Sequence, residues 1–331
     1  MISSQQYHNV KEWLKQCRRP LVCTHQRADG DALGALAGMS LVLQRWGAKV
    51  TPALFDPFPT GYEPLAAMVK WCYWDELRAG GEEKYDALII LDTCARAQLE
   101  PLEAYLPRAP RILVIDHHTT RDEIGVRPGD LRLIDESASA ACLILAEWLR
   151  GVGEMLDDSI ATALFAGIAT DCGWFRFSNA DARTFRVAAE LIEAGAAAQQ
   201  LYQALYQRES PAKLLLAGRM LQSLELHAGG KLAVMSLRRS DFEATGASHR
   251  ETENLVNEAG RIGGTEATVL FTEDTDVIRV NFRSKRWLDV SEVARKFGGG
   301  GHKRAAGARP AGKWDEVIPR VIAALVAALE G

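Results

Sequence analysis

The chain has 331 residues, of which 47% are hydrophobic and 25% charged, and a formal net charge of −4. That length accommodates two domains, and an ordinary globular composition can hold a core without disulfide or zinc staples. The acidic balance argues against a binder of long duplex nucleic acid, which would show a broad basic surface, and leaves local basic patches open.

The six cysteines (Cys17, Cys23, Cys72, Cys94, Cys142, Cys172) are scattered and form no C-x-x-C pair. This argues against zinc ribbons and redox motifs and for buried thiols in a reducing compartment. The opening "MISSQQYHNVKEWLKQ" has no apolar signal core, and no apolar run reaches the length of a membrane span, so a cytoplasmic protein without membrane contact is expected.

In chain order, "LVCTH" (residues 21–25) reads as a short buried strand. "DALGALAGMSLVLQRWG" reads as a helix closed by Gly47, and "AKVTPALF" as the next strand. "YDALIILD" and "RILVID" are apolar runs ending at Asp92 and Asp116. Strands apolar on both sides, separated by helical stretches, predict an α/β fold: a parallel sheet with helices on both faces. "SASAACLILAEWLRG", "DDSIATALFAGIAT" and "DARTFRVAAELIEAG" have helical length and composition, the last stopping at Gly195.

Beyond about residue 200 the pattern changes. Helical connectors run through "LYQALYQRESPAKLLLAGRMLQSLEL". "ELHAGGKLAVMSLR" reads as a hairpin turning at Gly229-Gly230, "RETENLVNEAGRIGG" as a helix, and "EATVLFTEDTDVIRVNFRS" as a hairpin turning near Glu273 to Thr275. The expected domains are therefore 1–195, a helical linker 196–224, and a smaller α+β domain 225–331.

The titratable residues fall at the strand ends. His25 ends the first strand, with Asp29 and Asp31 in the following loop. Asp92 ends another, and Asp116, His117 and His118 end a third. In an open parallel sheet, ligands bind beyond the carboxyl ends of the strands. Asp171, after "IATALFAGIAT", joins from the side. Each aspartate taken singly reads as a helix cap or turn residue. Together, so many carboxylates need positive charge, because like charges at contact distance raise one another's pKa. Two divalent cations supply it, and oxygen-rich ligation with one or two imidazoles favours Mn²⁺ or Mg²⁺ over structural zinc.

"THQRADGDALGA", "LDTC", "IDHHTT" and "GIATDCGWFRFSN" resemble, in order, the four motifs of the DHH phosphoesterases. "FGGGGHKRAAGA" (297–308) resembles the signature of the DHH-associated C-terminal domain. The resemblance covers nearly the whole chain, and its two-domain layout is most similar to nanoRNases of the NrnA type. It implies that His25 and Asp29 bind one Mn²⁺, with Mg²⁺ as the alternative, that Asp31, His117 and Asp171 bind a second, and that Asp92 bridges both. It further implies that Asp116 orients a neighbouring histidine and that His118 faces the scissile phosphate. Gln98, Arg121 and Cys172 depart from the family pattern, which leaves substrate preference more open than metal binding.

Residues 279–309 hold nine Lys/Arg against two acidic residues, Asp289 and Glu292. Read alone, such a run is a solvated basic face. Here it surrounds "GGGGH", whose backbone N–H groups can approach a phosphate closely. The resemblance strengthens a phosphate grip by Arg283, Ser284, Gly299, Gly300, Gly301 and His302. The two domains are expected to face each other across the active-site cleft.

The implied activity is two-metal activation of water to hydrolyse short oligoribonucleotides to nucleoside 5′-monophosphates, and 3′-phosphoadenosine 5′-phosphate (pAp) to AMP. The chain would thus be a phosphodiesterase or exoribonuclease and a 3′(2′),5′-bisphosphate nucleotidase. Members of the family often form homodimers, which the sequence neither requires nor excludes here. Three rivals stay open: a cyclic or linear dinucleotide phosphodiesterase, a RecJ-like single-strand exonuclease, and a nucleotide-binding sensor with an inactive metal site.

Overall fold

The computed structural model describes residues 2–80, 84–274 and 277–330. The chain divides into two compact units, Met1–Arg208 and Glu209–Gly331.

The first unit is built on six strands: β1 (Pro20–Cys23), β2 (Thr51–Leu54), β3 (Cys72–Tyr73), β4 (Ala87–Leu91), β5 (Ile112–Asp116) and β6 (Leu131–Ile134). Their spatial order is β3-β2-β1-β4-β5-β6, and every pairing is parallel. The sequence reading anticipated four of them. β3 has only two residues, and β6 is a half-buried edge strand whose apolar run is broken by Arg132. The order reverses at β1 and β4, and ligands in such sheets bind outside the carboxyl ends of the strands at that switch.

Helices α1 (Ser4–Lys15), α2 (Gly30–Arg45), α5 (Ala141–Gly151) and α6 (Asp158–Asp171) pack with one sheet face; α3 (Glu63–Ala66) and α4 (Trp74–Ala79) lie between α2 and α5 in the chain. Val22, Ile89 and Ile115 meet Leu36, Trp148 and Ile168 there. Burying side chains of this size stabilises the fold by roughly 1.5–3 kcal/mol each. The alternate strand residues, Leu21, Leu88, Ile90 and Val114, face Trp74, Leu99, Leu102 and Leu106. The second face is thus covered by shorter pieces, α4 and the 3-10 turns Arg96–Gln98, Glu100–Leu102 and Leu106–Arg108.

The expected linker 196–224 divides between the units. After α7 (Ala182–Glu193), helix α8 (Ala198–Tyr206) buries Leu201 in the first core. Helix α9 (Pro211–Gln222) buries Leu216 and Met220 against Met235 and Phe242 in the second. Each helix has an apolar stripe and goes where that stripe is covered.

The second unit holds a six-stranded sheet of β7 (Glu225–His227), β8 (Leu232–Leu237), β9 (Ala267–Glu273), β10 (Ile278–Ser284), β11 (Gly300–His302) and β12 (Ala305–Ala308). The order is β11-β12-β10-β9-β8-β7, with β8–β9 parallel and the other pairs antiparallel. Helices α11 (Val290–Arg295) and α12 (Trp314–Glu330) cover one face, the latter through Val317, Val321, Leu325 and Leu329. Helices α9 and α10 (Arg239–Thr245) pack with the other.

Both expected hairpins form. The first turns through Gly229 and Gly230, at φ +64° and +87°. In the second, Thr275 of the expected turn lies outside the described residues. Two expectations need correction. "RETENLVNEAGRIGG" is not one helix but two 3-10 pieces, His249–Thr252 and Leu255–Arg261. Glu253 is extended and Asn254 left-handed at φ +67°, which breaks the helical path between them. The glycine run is not wholly a loop either, since Gly300–His302 pairs with β12.

Candidate metal centre

His25 leaves β1 after Thr24. Its Nδ1 lies 2.8 Å from the Gln26 carbonyl oxygen, so Nδ1–H donates there and Nε2 is left facing the carboxylates. His117 repeats the device after β5, with Nδ1 3.2 Å from the Ala138 carbonyl. Its Nε2 stands 3.4 Å from Asp92, 3.7 Å from Asp171 and 3.9 Å from Asp31.

Asp92 lies between the two imidazoles. It follows β4 in a left-handed conformation, φ +61°, and is buried. Its Oδ2 is 3.5 Å from His25 Nε2 and its Oδ1 3.4 Å from His117 Nε2. Strained residues gather around it. Arg27, Trp174 and Phe175 also have φ between +54° and +61°, and lie within a few residues of His25, Asp29 and Asp171. Left-handed non-glycine backbone is costly and persists where the surrounding structure over-determines it, which is common at functional sites.

Asp29 and Asp31 come from the start of α2. Asp29 is the N-cap, accepting from the Asp31 and Ala32 amides at 3.0 and 3.1 Å. It therefore caps the helix and also places a carboxylate oxygen 3.9 Å from His25. Asp31 is buried and accepts from the Ala141 and Cys142 amides, at 2.5 and 2.9 Å, at the N-terminus of α5. Close approach of α2 and α6 brings Asp31 towards Asp171. A Cβ on Gly34 would stand 2.3 Å from the Ala163 carbonyl, and one on Gly167 2.6 Å from the Asp31 carboxylate.

Asp116 is fully buried. Its Oδ1 accepts from the His117 and His118 amides at 2.9 and 3.2 Å and from His118 Nδ1 at 2.8 Å. That leaves His118 half-exposed with Nε2 free.

The charges are mutually dependent. Burial alone would raise the Asp92 carboxyl, but His117 and His25 outweigh it and hold it below the ordinary carboxylate range. Burial disfavours charge on both imidazoles, yet the carboxylates around them, Asp92 foremost, lift His25 and His117 to about 9. Burial, with Asp92 and Asp171 alongside, pushes Asp31 well above its usual value. Asp171 rises to about 6, mainly by burial. Cations bound here would displace protons from the two imidazoles and from Asp31.

The donor set fits hard divalent ions. Among the described residues, three groups of three, His25–Asp29–Asp92, Asp92–His117–His118 and Asp31–His117–Asp171, each place ligand atoms within 4.8 Å of one another, and Asp92 belongs to two of them. Asp92 Oδ1 and Asp116 Oδ2 are buried without a hydrogen-bond partner. Carboxylate-rich ligation with two imidazoles suits Mn²⁺ or Mg²⁺.

The sequence reading missed the loop between β6 and α5, which holds these side chains in place. Arg183 on α7 donates to both Glu147 oxygens at 2.8 and 2.6 Å, to Asp135 at 2.8 Å and to Ser137 at 3.1 Å. Ser139 and Thr184 hydroxyls are 2.9 Å apart. The loop so anchored supplies the Ala138 carbonyl to His117 and the Ala141 and Cys142 amides to Asp31. The only signal in the sequence was the Asp135–Ser137 spacing of an Asx-type turn.

In the second unit, Arg283 and His302 share a row across the sheet, Arg283 opposite Ala305 and Ala305 opposite His302. The Ser284 hydroxyl donates to the Leu288 carbonyl at 2.7 Å. Gly299 and Gly301 are needed for close approach to β12, since a Cβ on either would fall 2.1 or 2.6 Å from a carbonyl oxygen. Gly300 is exposed, with open space where a Cβ would be.

Residues 19–168 match the profile of the DHH family, N-terminal domain, and residues 229–331 that of the DHHA1 domain. The chain is 31% identical over 306 residues to the bifunctional oligoribonuclease and PAP phosphatase NrnA of Bacillus subtilis, covering 91% of each chain. It is 29% identical over 324 residues to the NrnA of Thermus thermophilus, covering 96% of this chain and 92% of that one. The crystal structure of an exopolyphosphatase-related protein from Bacteroides fragilis shares the fold, with a TM-score of 0.79 at 20% identity over 100% of this chain and 97% of that one. The chain belongs to the DHH family. Among the described residues, no helix is long and apolar enough to cross a membrane.

Proposed function

We propose that this chain is a metal-dependent phosphoesterase that hydrolyses short oligoribonucleotides to nucleoside 5′-monophosphates and pAp to AMP. The observation that carries the reading is Asp92, whose two carboxylate oxygens face different imidazoles, each within its own ligand group. One shared carboxylate between two such groups suits a pair of cations, Mn²⁺ or Mg²⁺. When bound, these would supply Lewis acidity to a water and to the phosphoryl oxygens. The substrates follow the two NrnA relatives named above.

The chain's own residues have distinct parts. His25 and Asp29 would hold one cation, Asp31, His117 and Asp171 the other, and Asp92 both. Asp116 holds His118 by Nδ1, and this bond raises the His118 pKa. With Nδ1 held in this way, Nε2 carries a proton when the ring is charged and would then serve the leaving oxygen. In the second unit, Arg283, Gly300 and His302 would hold the phosphate next to the cleaved one, Arg283 by a charge-assisted pair. Gly299, Gly301 and Ser284 would keep that row in shape.

The test is a hydrolysis time course with Mn²⁺ on 5′-labelled RNA two, five and twenty-four nucleotides long, with pAp in parallel. Rapid loss of the two short RNAs with the long one nearly untouched supports the reading. Preference for the long strand would point to a RecJ-like single-strand exonuclease, and activity on pAp alone to a nucleotide phosphatase. No hydrolysis of any of them would leave a nucleotide-binding sensor.

A further inference from the structure

β10, β12 and β11 set out parallel rows of residues across one sheet face. Arg283 and His302 share the first row with Ala305, and Asn281 faces Gly307 and Gly300 in the second. The β10–β12 pairing ends at Val280–Ala308, and the next residue on each side is an arginine, Arg279 on β10 and Arg309 just beyond β12. Strand alternation sends Val280, Phe282, Ala306 and Ala308 into the core, so the three rows lie on the opposite face.

The third row is anomalous. Like charges brought together at the end of an antiparallel ladder repel each other. Among the described residues, no ion pair or hydrogen bond engages either guanidinium. The two arginines line a cavity of about 310 Å³ together with Asn281, Gly298, Gly299 and Gly307. Its glycine floor bears no side chains, and Gly298, at φ +71°, has open space above it. An anion between the guanidiniums would remove their repulsion, and a phosphate can accept from two such forks.

We propose that Arg279 and Arg309 form a second anion subsite, which takes a backbone phosphate of the oligonucleotide other than the one at Arg283 and His302. This rests on the oligonucleotide reading above. Four residues along β10 separate the two arginine rows, about 13 Å at strand rise. A dinucleotide or pAp is too short to engage both rows, whereas a pentanucleotide reaches. The subsite therefore sets a length dependence: it adds affinity for longer oligomers and none for the shortest.

The test uses the full chain with Arg279→Gln and Arg309→Gln combined. Binding of fluorescein-labelled RNA dimer and pentamer is read by anisotropy in EDTA, where no cleavage occurs. We expect the pentamer Kd to rise about tenfold or more, the dimer Kd to hold, and the salt dependence of pentamer binding to flatten by about one unit of log–log slope. The paired lysine variant, Arg279→Lys with Arg309→Lys, keeps the charge but loses the forks and should bind pentamer with an affinity between those of the glutamine variant and the wild type. Removing a like-charge contact should leave Tm unchanged or higher. Equal effects on dimer and pentamer, or no effect on either, would overturn the subsite. Wild-type protein that binds pentamer through this pair yet hydrolyses nothing with Mn²⁺ would retain the subsite and refute the enzyme reading. Wild-type protein that hydrolyses short RNA, with a variant of identical length profile, would do the reverse.

Discussion

Asp92 and His117 stand 3.4 Å apart at the ends of two adjacent parallel strands, and the other Asp92 oxygen faces His25 at the end of a third. One carboxylate thus joins both halves of the site. Asp92→Asn should lower kcat by at least about a thousandfold, as expected when a bridging ligand to two cations is lost. Mn²⁺ titration by calorimetry should show fewer ions bound per chain. Unchanged stoichiometry would separate Asp92 from the metal centre.

His118 is held by Asp116 and keeps Nε2 free. His118→Asn should lower kcat by roughly 10²–10⁴ through loss of the proton donor, with Mn²⁺ affinity nearly unchanged. A large fall in Mn²⁺ affinity instead would make His118 a ligand.

Arg283→Ala should mainly raise KM for short RNA, by roughly ten- to a hundredfold for one lost charge-assisted contact. If KM held and only kcat fell, the grip assignment would be wrong.

Arg183 touches none of the candidate ligands and reaches the site through the loop that carries Ala138. Arg183→Gln leaves Asp135 and Glu147 buried without their partner, which should cost about 3 kcal/mol in denaturant unfolding. Mn²⁺ affinity should weaken about tenfold or more as His117 loses its fixed orientation. Burial opposes the Asp135 charge, but the Ser137 hydroxyl and Arg183 outweigh it and keep its carboxyl below the ordinary range. A lowered carboxyl pKa stabilises the fold above the unfolded value near 3.9, and that stability is lost as pH falls through the folded value. The stability gap between wild type and variant should therefore be full at neutral pH and shrink below about pH 4. A gap that does not change with pH would show that Asp135 is not the partner that matters.

Gly167→Ala places a Cβ 2.3 Å from Cys142 Sγ and 2.6 Å from the Asp31 carboxylate. Overpacking of this kind costs about 1–3 kcal/mol. Because the strain falls on Asp31, Mn²⁺ binding should weaken with the melting temperature. Wild-type affinity at lowered Tm would mean that Asp31 is not a ligand.

The candidate ligand types and their positions at strand ends were legible in the sequence, because a buried parallel strand reads as an apolar run and whatever ends it lands on one edge of the sheet. His25, Asp92, Asp116 and His117 follow from that rule alone. Asp29 and Asp31 were visible as a loop pair, but their division between two groups depends on Asp29 capping α2 while Asp31 turns to the N-terminus of α5, 110 residues away. β3 and β6 escaped notice because edge strands need little apolar surface. The 3-10 pieces at 249–261 escaped it because their apolar spacing resembles a helix, while the break is a backbone property of Glu253 and Asn254.

Residue types and local periodicity, which are properties of neighbouring residues, therefore determined the strands, most helices and the inventory of possible ligands. Only the tertiary structure decided which oxygens of Asp92 face which imidazole, that Arg183 anchors the loop whose Ala138 carbonyl meets His117, and that Arg279 and Arg309 line one cavity at the end of a ladder. Those relationships join residues far apart in the chain, and their distances are set by strand register and helix packing, which no local pattern records.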